Sequence, residues 1–278
     1  MNLKQDKRLK RVMLYIFLII YSAIILYPIL WCASNSLKTN REIFASPWNL
    51  PTQPQWQNYT EAWSGGRISI CFKNSVIVTF LSVAIIAIIA PMAAYSLARL
   101  EFKGKKLIFY LFLGGMFIAP VSALVPLLIL LKNLHLVNTY FGLVFPYVAY
   151  GLPLSIFILR SFFVTMPYSL EDAARVDGLS PFKIYWKIML PLALPALYTT
   201  IILQTIFIWN EFLFALVFLR SPDMFTLPRG LMIFRGTYIT MYGPLNAGII
   251  ITAVLPIVIY IIFSDRIRKG MTIGMQKG

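Results

Sequence analysis

The chain has 278 residues, of which 59% are hydrophobic and 13% charged, with a mean hydropathy of +0.76. That excludes a soluble globular domain, for which about 45–50% apolar and 25% charged is typical. The net charge of +15 would point to nucleic acid in a soluble chain, but here most Lys and Arg lie in short segments between apolar runs, where they report membrane topology.

Six apolar runs are each long enough to cross a bilayer core, which takes about 20 helical residues: 12–34, 75–98, 107–131, 140–163, 197–219 and 245–263. The expected fold is therefore all-α, a six-span polytopic membrane protein forming a single transmembrane domain over 1–278. The first run follows a basic lead of Lys4, Lys7, Arg8, Lys10 and Arg11, yet it exceeds the apolar core of a cleaved signal and reads as a retained span. Between the first two spans, Pro47, Pro51 and Pro54 precede Trp56, Tyr59 and Trp63 in WQNYTEAW. Aromatics so spaced favour an interfacial helix bracing the bundle over one that contacts solute. Cys32 and Cys71 lack any metal spacing; free thiols are the simpler reading, and a disulfide stays open.

Span three carries Gly115, Ala119 and Ala123 four apart, a small-residue stripe suited to close helix packing, with Pro120 and Pro126 removing backbone donors nearby. Span four has a comparable break at Tyr150-Gly151-Leu152-Pro153. Broken helices in a bilayer pack on protein or line a cavity, because bare backbone groups in lipid cost several kcal/mol.

The polar segment 166–191 departs from this pattern. Ser169 followed by Asp172 has capping-box spacing, Glu171 and Asp172 suit a helix N-terminus, and Gly178 suits a left-handed C-cap. Ser180-Pro181 then opens a second short helix, over about 182–190. The pair Ala173-Ala174 predicts a flat face that another surface can approach. The plain alternative is an ordinary helical hairpin between two spans.

In span five, Thr200, Gln204, Phe207, Glu211, Phe214 and Phe218 fall on one helical stripe. An acid there costs at least ~2.5 kcal/mol unless it faces protein or water. Either the stripe lines a solute path, or Glu211 pairs with an Arg or is hydrogen-bonded within the bundle. The loop from Arg220 to Pro244, rich in Pro and Gly, reads by composition as a flexible surface loop.

With the N-terminus inside, 17 of the 25 Lys and Arg fall in inner segments, among them Arg99, Arg160 and Arg175, and 8 in outer ones. The positive-inside rule thus places both termini and the segment 166–191 in the cytoplasm.

Asp172-Ala173-Ala174, Gly178 and Ile188-x-Leu190-Pro191 resemble, residue by residue, the loop E-A-A-x3-G-x9-I-x-L-P of permease subunits of binding-protein-dependent ABC importers, with Asp in place of the first Glu. REIFASPWNLP, WNEFLFALVFL, TLPRGL and the tail RKGMTIGMQKG are similar to carbohydrate-type permeases, in particular the smaller maltose-type subunit. The resemblance implies a coupling helix seated on a partner ATPase, formed by Glu171, Asp172, Ala173, Ala174, Asp177, Gly178, Ile188, Leu190 and Pro191. It implies further ATPase contacts at Met275, Gln276 and Lys277, and contact with an extracytoplasmic solute-binding protein at Thr226, Leu227 and Pro228. The implied partners are that binding protein, a second permease subunit, an ATPase dimer that binds ATP and Mg, a sugar and membrane lipid, but no nucleic acid.

Absences agree with this. No G-x4-G-K-[ST] phosphate loop occurs, and the one His, His135, stands apart from any metal-binding pattern, so neither a catalytic site nor a metal or cofactor of the chain's own is expected. An ion-coupled secondary transporter is the alternative; it would normally show several intramembrane charges or repeated halves.

Overall fold

The computed structural model describes residues 3–236 and 240–275. Among these the chain is helical, apart from one isolated bridge between Arg235 and Thr240. It forms two units, one from residues through Ser69 together with Leu231–Val254, the other from Ile70–Gly230 and the chain from Leu255 on.

In the first unit, α1 (Leu3–Asn35) begins as a helix whose side chains from Lys10 to Leu30 are exposed. Thr39 caps α2 (Asn40–Ala45), its hydroxyl accepting from the Glu42 amide at 3.3 Å. The WQNYTEAW stretch becomes α3 (Gln57–Thr60) and a wide turn over Glu61–Gly65. Asn58 Nδ2 donates to the carbonyls of Ser36 and Lys38, and the Tyr59 hydroxyl lies 2.8 Å from Ser36 Oγ. The expected brace is thus a packed, hydrogen-bonded corner, with Trp56 and Trp63 left exposed.

The second unit holds α4 (Ile68–Arg99, from its third residue), α5 (Lys105–Gly115), α6 (Pro120–Asn133) and α7 (Phe141–Thr165). After α8 (Ser169–Val176) come α9 (Pro181–Ile184), α10 (Leu190–Trp209), α11 (Leu213–Phe218) and α12 (Leu227–Gly230). The last helix, α13 (Tyr242–Met275), runs through both units.

Among the described residues four helices have the length and apolar composition to cross a membrane, or five if the bent pair α5–α6 counts as one span, and Tyr242–Val258 is a shorter apolar helix. Span three is therefore not one rod: α5 and α6 meet at 102°, and the proposed small-residue stripe is split, with Gly115 ending α5 and Ala119 capping α6. Pro120, lacking an N–H, sits at the first position of α6, where none is needed. Span four goes the other way. Despite Pro146 and Pro153, α7 is continuous through Gly151.

At Gly151 three helices of this unit converge. A Cβ there would lie 2.6 Å from Ile86 Cδ1 of α4 and 2.8 Å from Gln204 Oε1 of α10. Gln204 Nε2 donates to the Gly151 carbonyl and to Ser155 Oγ, both at 3.1 Å, so a buried amide is matched by buried acceptors.

Candidate functional site

The segment after α7 folds as an elbow. The capping box is not formed: Ser169 is already helical, its side chain makes no cap, and the amides of Glu171 and Asp172 bond the Tyr168 carbonyl instead. Pro167 and Tyr168 turn the chain into the helix, so the backbone itself fills the role foreseen for Ser169. The C-terminus is as expected. Gly178 takes φ +75°, its amide bonding the Arg175 carbonyl and the Leu179 amide the Ala174 carbonyl, both at 3.0 Å, which closes a Schellman turn.

The second short helix proves not to be separate. α9, a π turn at Tyr185–Met189 and α10 form one continuous stretch, Pro181–Trp209. The π turn, with the Leu190 amide on the Tyr185 carbonyl, changes register just before Pro191, so the missing N–H does not break the rod.

The elbow residues divide into two faces. Asp172, Ala173, Asp177 and Gly178 are exposed, joined by Val176 at 88% and Phe182 at 65% exposure. Glu171 and Ala174 are buried, Ile188 and Leu190 half-buried, and Pro191 exposed. The Ala-Ala pair therefore does not form one flat outer face, because neighbours on a helix point about 100° apart. Glu171 does not face outward either. Its carboxylate lies 3.3 Å from Arg99 Nε, with both side chains at 2% exposure or less, and 3.6 Å from the Nη2 of the more exposed Arg175. Arg175 also stands 3.7 Å from Asp172, an exposed pair that contributes at most about 1 kcal/mol. Arg99, read from sequence only as a topological charge, also donates to the Met166 carbonyl and stacks on Tyr168 at 4.2 Å.

At the other end of the continuous rod is a cavity of about 330 Å3, within the range of about 300–1,000 Å3 usual for small-molecule sites. The bend between α5 and α6 contributes Gly115, Met116, Ile118 and Pro120; α7 contributes Tyr147, Tyr150, Gly151 and Leu154. Gln204, Phe207 and Ile208 of α10 complete the wall with Glu211 and Phe214.

The predicted stripe is thus assembled except for Phe218, buried against Phe214, and for Thr200. That residue is buried, and its hydroxyl returns to the Ala196 carbonyl of its own helix at 2.9 Å. Span five is also not one helix to residue 219, since α10 ends at Trp209 and α11 starts at Leu213. Asn210 Nδ2 bonds back to the Ile206 carbonyl, and the new helix exposes free amides. Glu211 takes these up: Oε1 accepts from the Phe214 amide at 2.8 Å and Oε2 from Ala215 at 3.3 Å, while the Tyr147 hydroxyl donates to Oε2 at 2.6 Å. No Arg is needed; three donors hold the carboxylate, and among the described residues it is the one acidic or basic side chain lining the cavity. Phe214 stacks on Tyr147 and Phe218, and Phe207 stays 60% exposed.

The sequence points to Tyr150 only through the break at Tyr150-Gly151-Leu152-Pro153 and not to Tyr147 at all, because an aromatic on an apolar helix carries no sign of which face it will present. The surface loop after α11 is strapped down rather than loose. Asn74 Nδ2 donates to the Asp223 and Phe225 carbonyls, Ser75 Oγ accepts from the Leu227 amide, and Asn138 Oδ1 accepts from the Arg220 and Ser221 amides. In consequence Thr226 and Leu227 are buried and Pro228 is half-buried, so they do not project as a free loop. Of the tail residues, Met275 ends α13, and Gln276 and Lys277 lie outside the described residues.

Comparison with known proteins fits this arrangement. Residues 74–271 match the family described as "Binding-protein-dependent transport system inner membrane component". The chain is 40% identical over 264 residues to the probable ABC transporter permease protein YurM of Bacillus subtilis, covering 95% of this chain and 88% of that protein. To the trehalose/maltose transport system permease protein MalG of Thermococcus litoralis it is 34% identical over 277 residues, 99% of each chain. Its fold matches a chain in the crystal structure of a bacterial ABC transporter involved in alginate import, with a TM-score of 0.81 at 22% identity over 94% of this chain and 97% of that one. With the family match covering most of the chain and relatives aligned nearly end to end, the protein belongs to the binding-protein-dependent transport system inner membrane components.

Proposed function

We propose that the chain is the permease subunit of an ATP-driven importer that passes a sugar, of di- or oligosaccharide size, from an extracytoplasmic binding protein into the cell by alternating access. The observation that carries this reading is mechanical. One uninterrupted helical rod, Pro181–Trp209, runs from an exposed elbow to the wall of a cavity, and at about 1.5 Å per residue its span from Pro181 to Phe207 is about 40 Å. A push at the elbow reaches Gln204 and Phe207 without crossing a loop.

In this proposal the chain crosses the membrane six times, with α5–α6 as one bent span and α13 as the sixth, and both termini face the cytoplasm. The exposed face at Asp172, Ala173, Val176, Asp177 and Gly178 docks on an ATPase dimer that binds ATP and Mg, since this chain has no phosphate loop. A second permease subunit closes the open side of the cavity where Phe207 is exposed. A binding protein that reaches Thr226, Leu227 and Pro228 must first undo the bonds from Ser75 and Asn74. Sugar is the favoured solute because Tyr150 and Phe207 offer flat apolar faces while the Glu211 carboxylate accepts from hydroxyls, and a relative carries trehalose and maltose in its name.

Uptake by the reconstituted complex should vanish when the co-purified ATPase carries a Walker-motif substitution and survive a protonophore; the reverse pattern would make the chain an ion-coupled carrier. Glu211→Gln, which weakens a charge-assisted network at the cavity, should lower uptake about tenfold. Thr200→Val, on the same stripe but turned into its own helix, should leave uptake unchanged, and equal effects of the two would remove Glu211 from the pathway.

A further inference from the structure

Arg99 ends α4 with its side chain buried and turned into the elbow rather than toward water. Its three partners, the Met166 carbonyl, the Tyr168 ring and the Glu171 carboxylate, all lie between the end of α7 and the first turn of α8. A buried ion pair is poor evidence of stabilisation, because apolar residues of similar shape serve as well or better. What the guanidinium supplies instead is direction: its rigid planar fork lets Nη2 donate to the Met166 carbonyl while Nε lies 3.3 Å from the Glu171 carboxylate, a charge contact without hydrogen-bond geometry, and its face covers Tyr168. The other inward side chain of α8, Ala174, offers only a non-directional apolar contact. Thirteen residues before Arg99 on α4 stands Ile86, against Gly151, whose carbonyl is held by Gln204 in the cavity wall.

We propose that Arg99 is a positioning residue that ties the elbow to α4, so that displacement of the elbow is carried to the cavity along α4 as well as along α10. This rests on the reading of 166–191 as the ATPase-docking loop.

The test reads the direction in which the cavity opens, without needing the solute. In the reconstituted complex, with Cys32→Ser and Cys71→Ala, Ile118→Cys at the cavity reports its outward opening through reaction with a membrane-impermeant maleimide. With Arg99 and Glu171 in place, a non-hydrolysable ATP analogue should raise the labelling rate about tenfold. Arg99→Met with Glu171→Met removes both charges together, so neither is stranded. That variant should still bind the ATPase, while its response to nucleotide falls to about twofold or less. A full response in the double variant overturns the proposal and leaves the docking reading intact. Should the double variant lose the ATPase, Arg99→Lys decides, since it keeps the charge but not the fork: a weakened response supports the proposal and a full one overturns it. A complex of the unaltered chain that contains no nucleotide hydrolase sinks the docking reading, and this proposal with it.

Discussion

Arg99→Met alone should destabilise the protein by about 3 kcal/mol, the lower end of the cost of stranding one partner of a buried ion pair. The Glu171 carboxylate, 2% exposed, would keep only Arg175, at 3.6 Å and itself 58% exposed, as a cationic neighbour. That remaining contact is why the lower figure is expected. The elbow's tie to α4 would then fail first, because the Met166 carbonyl and the Tyr168 ring lose the same partner in one step. Arg99→Met/Glu171→Met should recover most of the loss, since an uncharged pair has no desolvation to offset. Thermal unfolding in detergent measures both variants. If the single and double substitutions were equally damaging, packing of the Arg99 stem, and not its charge, would be what holds the elbow.

Gly151→Leu should cost about 3 kcal/mol or more and disable transport. Even a Cβ at this position meets Ile86 Cδ1 at 2.6 Å and Gln204 Oε1 at 2.8 Å. Alanine has a way out, because both neighbours are ends of side chains that can shift. A leucine has not: it must push Gln204 away from the Gly151 carbonyl and Ser155 hydroxyl, adding buried unsatisfied polar groups, at about 1–3 kcal/mol each, to an overpacked helix junction. The melting temperature of the purified protein should fall for Gly151→Leu and much less for Gly151→Ala. Comparable losses for the two would mean that α7 and α10 cannot shift at all.

Much of the fold was legible without coordinates because its signals are local. Apolar length marked four helices among the described residues, or five with the bent α5–α6 pair, as able to cross a membrane; the positive φ at Gly178 ends the elbow helix, where only glycine avoids a steric cost. The stripe through Gln204, Phe207, Glu211 and Phe214 follows from helical period, and four of its six members line one cavity, Thr200 and Phe218 being turned elsewhere. Thr200 failed because a hydroxyl on a helix has a rival acceptor in its own backbone four residues earlier, which periodicity does not register.

Where helices break was legible only in part: the break expected in span three is present, while the one in span four is not. Proline marks the bend before α6 but leaves α7 unbroken, and Pro191 is absorbed by a π turn, so the same residue type gives three outcomes. Which one occurs depends on whether a neighbour or a register shift can accommodate the freed carbonyl, and that is decided in three dimensions.

The amino-acid order by itself determined that this is a helical membrane protein with a polar elbow and a mixed aromatic and acidic stripe, because length, periodicity and glycine geometry act within a few residues of chain. Only the tertiary structure decided that Glu171 turns inward to Arg99, that Glu211 is held by Tyr147 and the first amides of α11, and that Thr226 and Leu227 are strapped beneath their loop. The Arg99–Glu171, Tyr147–Glu211 and Ser75–Leu227 contacts join groups remote in sequence, and burial obliges a polar group to take whichever partner the packing of distant helices brings within reach.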